Sequence, residues 1–268
     1  GDSEKVEFVP LSAQQRFTAL QSGEVDLLSR NTTWTLTRDT SLGLDFTGVT
    51  FYDGQGFMVP TSLGVSSVSE LDGAAVCVQT GTTTEKNLTD FFRATGMSFQ
   101  PVVFEGFEES VTAFINGRCD AYTTDASGLA SIRVSNVSNP DDYVILPEII
   151  SKEPLGPVVR NDDGEMFDVV RWTVFAMLNA EEAGITSENI DSFKGSEDPN
   201  IARIMGDEPG MGTAMGIDDT WAYNVISQVG NYGEVFERNV GASTPLGFQR
   251  GINALWTQGG LMYGPPIR

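Results

Sequence analysis

Apolar positions along this chain fall into short continuous runs and longer stretches at helical spacing, separated by glycine-marked turns. That pattern predicts strands alternating with helices, an α/β chain with mostly parallel sheets. Ala74-Ala75-Val76-Cys77-Val78-Gln79-Thr80 reads as a buried strand that runs through Gly81-Thr82-Thr83-Thr84-Glu85 into a helix carrying Phe91 and Phe92. Asp53 to Pro60 reads as a crossover strand flanked by glycines. The stretch from Pro147 to Arg160, with Glu-Pro-Leu-Gly-Pro and Val158-Val159, reads as the return crossover. Between Phe167 and Ala183, helical spacing places Phe167, Val170, Val174, Met177 and Leu178 on one face, with Arg171 solvated on the opposite flank. From residue 187 to 268 the chain is rich in Gly, Asp, Asn and aromatics. There Trp221, Tyr223, Tyr232, Phe236 and Trp256 punctuate short helices and predict a packed helical appendage.

The pattern also repeats. Residues 17–28 (FTALQSGEVDLL) align without a gap on residues 111–122 (VTAFINGRCDAY) at an offset of 94. Thr-Ala, the Gly and the Asp are identical, and apolar positions stay apolar. Each copy predicts a helix that stops at a left-handed glycine cap and leads into a short strand. Upstream, Val6-Glu7-Phe8-Val9-Pro10 matches Gln100-Pro101-Val102-Val103-Phe104 at the same offset, and each predicts a strand entering its helix. The second copy begins earlier, at the Ala74 strand, and subtracting the offset from that strand falls mostly before residue 1. The repeat therefore predicts that the first copy lacks its opening strand and helix in this chain.

Composition narrows the functional classes. The 268 residues carry 16 Lys plus Arg against 37 Asp plus Glu, a formal charge of −21, which repels nucleic acid and anionic lipid. No run of about 18 apolar residues predicts a membrane span, and no basic-then-apolar leader opens the chain. With no histidine and only Cys77 and Cys119, a zinc site and the usual His-based triads are not expected. No metal or cofactor is expected either.

Three segments carry candidate binding chemistry. The first is Ser29 to Asp39, which holds Asn31, Thr32, Thr33 and Arg38. An arginine fork suits a carboxylate in two parallel hydrogen bonds, and Thr hydroxyls and amides complete such a cage. The competing reading is a capped turn with a surface Arg. The second is the strand-to-helix turn at Thr82 and Thr83. Either threonine suits the N-cap with Glu85 reaching back, and free amides at a helix start bind anions. The third is Thr123-Thr124-Asp125, where a carboxylate at a strand's C-terminal end points to the usual ligand-binding side of an α/β sheet. A helix-capping aspartate is the equal alternative there. The repeat sets Asp125 in register with Asn31.

The runs from Gln21 to Asp39, Val76 to Glu85 and Gly117 to Asp125, together with the tail from Asn231 to Tyr263, resemble the general L-amino-acid-binding proteins of polar-amino-acid ABC transporters. The resemblance covers nearly the whole chain. It implies a type II periplasmic-binding fold with two crossover strands and a C-terminal helical extension. Residues 1–57 and 154–268 would form one lobe and 58–153 the other. It also implies that Arg38 clamps the ligand α-carboxylate, with Thr33 and Thr82 or Thr83 as donors. Asp125 takes the α-ammonium, helped by a carbonyl near Asn31. The implied protein is a periplasmic monomer that captures a polar or acidic L-amino acid in an interlobe cleft and passes it to a membrane permease, its leader absent from this chain. In that exported compartment Cys77 and Cys119, on neighbouring strands of a 2-1-3 sheet, are expected to form a disulfide. The alternatives are an enzyme on the same fold, such as a cyclohexadienyl-type dehydratase, and a sensory binding protein without a transporter.

Overall fold

A computed structural model describes residues 3–268. In chain order the elements are α1 Gln15–Ser22, α2 Leu36–Ser41, β1 Leu44–Phe46, β2 Phe51–Asp53, β3 Gln55–Pro60, β4 Ala75–Gln79, α3 Thr83–Thr95, β5 Gln100–Phe104, α4 Phe107–Ile115, β6 Ala121–Asp125, α5 Ala126–Ser135 and β7 Tyr143–Ile145. They continue with β8 Glu153–Leu155, β9 Val158–Arg160, α6 Gly164–Glu182, α7 Pro199–Met205, α8 Trp221–Val229 and α9 Tyr232–Asn239. Contacts divide the chain into two units. Among the described residues, one comprises 3–7, 43–50 and 157–268; the other comprises 8–42 and 51–156.

The second unit is built on a five-stranded sheet of order β5-β4-β6-β3-β7. β4 pairs in parallel with β5 and β6, giving the expected 2-1-3 arrangement, and β3 runs antiparallel to β6 and β7. Alternation along the strands splits the core between the two faces. Phe57, Val59, Val76, Val78 and Ala121 pack with Leu88 and Phe92 of α3. Met58, Cys77 and Tyr122 face the other way, onto Val111 and Phe114 of α4 and Leu129 and Ile132 of α5. A sheet covered on both faces explains why β3 and β4 read as continuous apolar runs. Each large side chain buried here contributes roughly 1.5–3 kcal/mol. The expected disulfide is formed: Cys77 and Cys119 are bonded, with Cα atoms 5.6 Å apart.

The repeat is visible at the helices. α1 ends at Gly23 with φ 76° and α4 is followed by Gly117 with φ 74°, the left-handed conformation that favours glycine. The strands before them differ. Gln100–Phe104 is β5, but Val6 to Pro10 is not a strand, and Val6 and Phe8 are exposed. β5 exists because β4 lies beside it, and residues 6–10 have no equivalent ladder partner among the described residues. The Leu27-Leu28 strand likewise shrinks to an isolated bridge at Leu28. Residues 8–42 pack with 51–156. The chain after α1 is tied to β8 by Trp34 N–H donating to Pro154 O at 2.8 Å, by Gly156 N–H donating to Thr32 O at 3.1 Å, and by a Thr33–Leu155 bridge.

The other unit holds the β1–β9 pair and α6 to α9 around Ala176, Ala180, Ile185, Trp221, Ala222 and Ile226. The expected aromatics Trp221, Tyr232 and Phe236 are buried, but Trp256 is exposed. Along α6, Leu178 is buried as expected, whereas Phe167, Val170, Val174 and Met177 are half-buried and the alanines 176 and 180 are fully buried. Arg171 is half-buried rather than free in solvent. Its Nε donates to Thr47 O at 2.8 Å, and its guanidinium lies 3.9 Å from the Phe167 ring centroid.

Candidate functional site

The three sequence segments converge within the second unit. Asp125 ends β6 and stands at the N-cap position of α5, but its side chain makes no capping bond. Instead it accepts from Asn31 Nδ2 at 2.8 Å. It is 4% exposed, and burial, joined by the neighbouring Asp53 and Glu153 carboxylates, pushes its carboxyl up to about 7. The capping alternative therefore does not describe Asp125.

Arg38 lies in α2, whose N-cap Thr35 accepts the Arg38 backbone N–H at 3.3 Å. It is 9% exposed, so it is not a surface residue. Nη1 donates to the Thr33 carbonyl at 2.9 Å, and the guanidinium faces the Phe17 ring at 5.0 Å. Burial holds it below the ordinary arginine range, with Glu153 and Asp125 opposing that shift.

The α3 entry follows its expected chemistry. Thr82 is the N-cap, accepting Glu85 N–H at 3.1 Å, and Glu85 reaches back to accept Gly81 N–H at 3.1 Å. Thr83 is then the first helical residue, beside amides that have no partner within the helix. Gly81 has φ 75°, and a Cβ there would stand 2.8 Å from Gln14 Cγ. The turn therefore packs against the start of α1 in a conformation that favours glycine.

Two charged residues at this site escaped the sequence reading. Arg16, on α1, is 3% exposed. Its Nη1 donates to Asn31 O at 3.3 Å and Thr32 Oγ1 at 3.5 Å, while its buried Nε has no hydrogen-bond partner among the described residues. Burial, with Arg38 and Arg30 adding repulsion, pulls it down to about 9. A signal existed: Arg16 shares a helical face with Ala19 and Leu20, where an apolar residue is expected. Glu153, on β8, is 1% exposed. It accepts from Asn87 Nδ2 at 2.7 Å, Ser151 Oγ at 2.6 Å, Thr83 Oγ1 at 2.9 Å and Thr33 Oγ1. It stands inside the Glu-Pro-Leu-Gly-Pro run of the return crossover, which carried no side-chain expectation.

The result is a compact set of opposed charges. Arg16, Arg30 and Arg38 each feel Asp125, and Glu153 lies beyond Thr33 and Thr83. None of these groups is a histidine, and among the described residues no acidic or cysteine cluster is arranged to hold a metal. Fold and site together define a binding protein of the type II periplasmic class.

No family model matches the chain. It is 57% identical over its whole length to the general L-amino-acid-binding periplasmic protein AapJ of Rhizobium johnstonii, covering 79% of that protein. It is 58% identical, again over its whole length and 79% of the relative, to the glutamate/glutamine/aspartate/asparagine-binding protein BztA of Rhodobacter capsulatus. Among solved structures, an ABC transporter periplasmic binding protein from Brucella ovis with glutathione bound superposes with a TM-score of 0.95. That protein is 57% identical, and the match covers 98% of this chain and 83% of that one. The chain belongs to the family of periplasmic amino-acid-binding proteins of ABC transporters, and it is a binding protein rather than an enzyme.

Proposed function

We propose that this chain captures an L-amino acid with Asp125 and Arg38 as opposite charge clamps, acts as a monomer, and delivers the ligand to its permease. The observation that carries the reading is Asp125. It is a buried carboxylate at a helix-capping position that caps nothing and is held by Asn31, with three arginines close by. A buried carboxylate needs a cation to complete it, and an α-ammonium is one of the right size. Arg38 takes the α-carboxylate, joined by the first amides of α3 at Thr82 and Thr83. Asn31 and Thr32 shape the turn that brings these groups together.

The side chain of the ligand falls to Arg16. Its buried Nε lacks a partner among the described residues and its charge is disfavoured, so an acceptor on the ligand relieves both costs. This selects acidic side chains and their amides, the chemistry printed in the name of the Rhodobacter relative. The glutathione in the Brucella structure fits the same scheme. A γ-glutamyl group keeps the free α-ammonium and α-carboxylate of glutamate and differs only at its far end.

A thermal-shift screen against the twenty amino acids and glutathione tests this. L-glutamate, L-aspartate and their amides are expected to raise Tm, since ligand at about a hundredfold over Kd adds roughly 2.7 kcal/mol. A screen in which L-glutamate gives no shift contradicts the reading.

A further inference from the structure

Glu153 is tied into the site by neutral side-chain hydroxyls and one amide, with no ion pair to its carboxylate among the described residues. Its Oε1 accepts from Asn87 and Ser151, and its Oε2 accepts from Thr83 and Thr33. Thr33 Oγ1 and Thr83 Oγ1 also touch each other at 3.2 Å. Three contacts thus link two hydroxyls and one carboxylate oxygen, and each hydroxyl has a single proton to give. An ionised carboxylate only accepts. Both threonine protons are therefore committed inside the network, and what Thr33 and Thr83 have left to offer any other group is lone pairs.

We infer that Glu153 is a positioning residue that fixes the polarity of Thr33 and Thr83, so that both hydroxyls present acceptors to the bound amino acid. The inference rests on the proposed amino-acid site. It also alters one part of the sequence expectation: Thr33 and Thr83 would not donate their hydroxyl protons to the ligand carboxylate. Those hydroxyls would instead accept from the ammonium, and the carboxylate would be left to Arg38 and backbone amides. The location of Glu153 suits the role. β8 is paired with β2 on one side, Asp53 opposite Glu153, and bridged at Leu155 to Thr33 on the other. The backbone that carries Glu153 is thus held on both flanks of β8.

The test is a double-mutant cycle read by calorimetry with L-glutamate. Glu153→Gln keeps the shape but turns an amide N–H₂ toward one of its donors, so the threonine protons can reorient toward the ligand. It is expected to weaken L-glutamate binding tenfold or more in the wild-type background. In a Thr33→Val/Thr83→Val background, where no hydroxyl is left to orient, the same change is expected to cost less than threefold. A residue that merely holds the fold together would show the same loss in both backgrounds, and that result overturns the inference. A loss below threefold in the wild-type background overturns it as well. If Glu153→Gln does not give a cooperative melt, Glu153→Asp, which draws the carboxylate back from both hydroxyls, takes its place in the same cycle with the same supporting and overturning results. Failure of the wild-type protein to bind L-glutamate is a different outcome, and it counts against the amino-acid site itself.

Discussion

Asn31 donates its side-chain amide to Asp125 Oδ2 at 2.8 Å, and the two residues are 94 positions apart, the offset of the internal repeat. The ends of the two repeated segments therefore meet. One copy supplies a neutral amide and the other a carboxylate, so a symmetric plan yields an asymmetric pair. The amide also keeps Asp125 hydrogen-bonded in the absence of a cation, a state in which a bare buried carboxylate would be costly.

Binding is expected to weaken on acidification. Asp125 is pushed from 3.8 up to about 7 by burial. Only its ionised form pairs with an ammonium, so capturing the ligand below neutrality must release a proton. Affinity for L-glutamate should fall roughly a hundredfold between pH 8 and pH 5, following the two pH units below the carboxyl's midpoint. Asp125→Asn should flatten the profile. Calorimetry at several pH values checks this, and a constant Kd across that range contradicts it.

The same group predicts the stability of the unliganded protein. Asp125 holds its proton more tightly folded than unfolded, so between about pH 4 and about pH 7 the native state binds more protons. Its contribution to stability is therefore present at low pH and lost as pH rises through that window. Urea melts of wild type and Asp125→Asn should show the wild-type advantage shrinking from pH 4 to pH 7.

Arg16 should set side-chain preference. Arg16→Gln removes the charge beside the unpartnered Nε position and is expected to cost L-glutamate at least tenfold more affinity than L-glutamine, the scale of a charge-assisted hydrogen bond. Equal losses for the two ligands would assign Arg16 to the support of the Asn31–Thr32 turn alone.

The disulfide closes a loop with a sequence separation of 42. Cys77→Ala/Cys119→Ala should lower stability by about 4 kcal/mol on the chain-entropy view, measured by urea titration against the oxidised protein. Two free thiols titrated in the unreduced, denatured chain would contradict the bridge.

Much of this was legible in the sequence because it is local. Gly23 and Gly117 mark helix ends, Thr82 and Glu85 write their own cap, and the apolar runs of β3 and β4 record burial on two faces. The pair Cys77 and Cys119 followed from strand order. What escaped depends on distant partners. Val6 to Pro10 has strand composition but no neighbour to pair with. Thr33 meets β8 only because that strand returns more than a hundred residues later. Arg16 and Glu153 look like a helix residue and a crossover residue until the fold buries them beside Asp125 and Thr83.

The most direct test of the account is calorimetry of L-glutamate binding to wild type, Arg38→Ala and Asp125→Asn at pH 8. Each substitution leaves one buried ligand charge without its partner, a loss of about 3–5 kcal/mol. Each variant is therefore expected to bind at least a hundredfold more weakly while melting cooperatively. A change below about threefold in both would show that these residues do not hold the ligand.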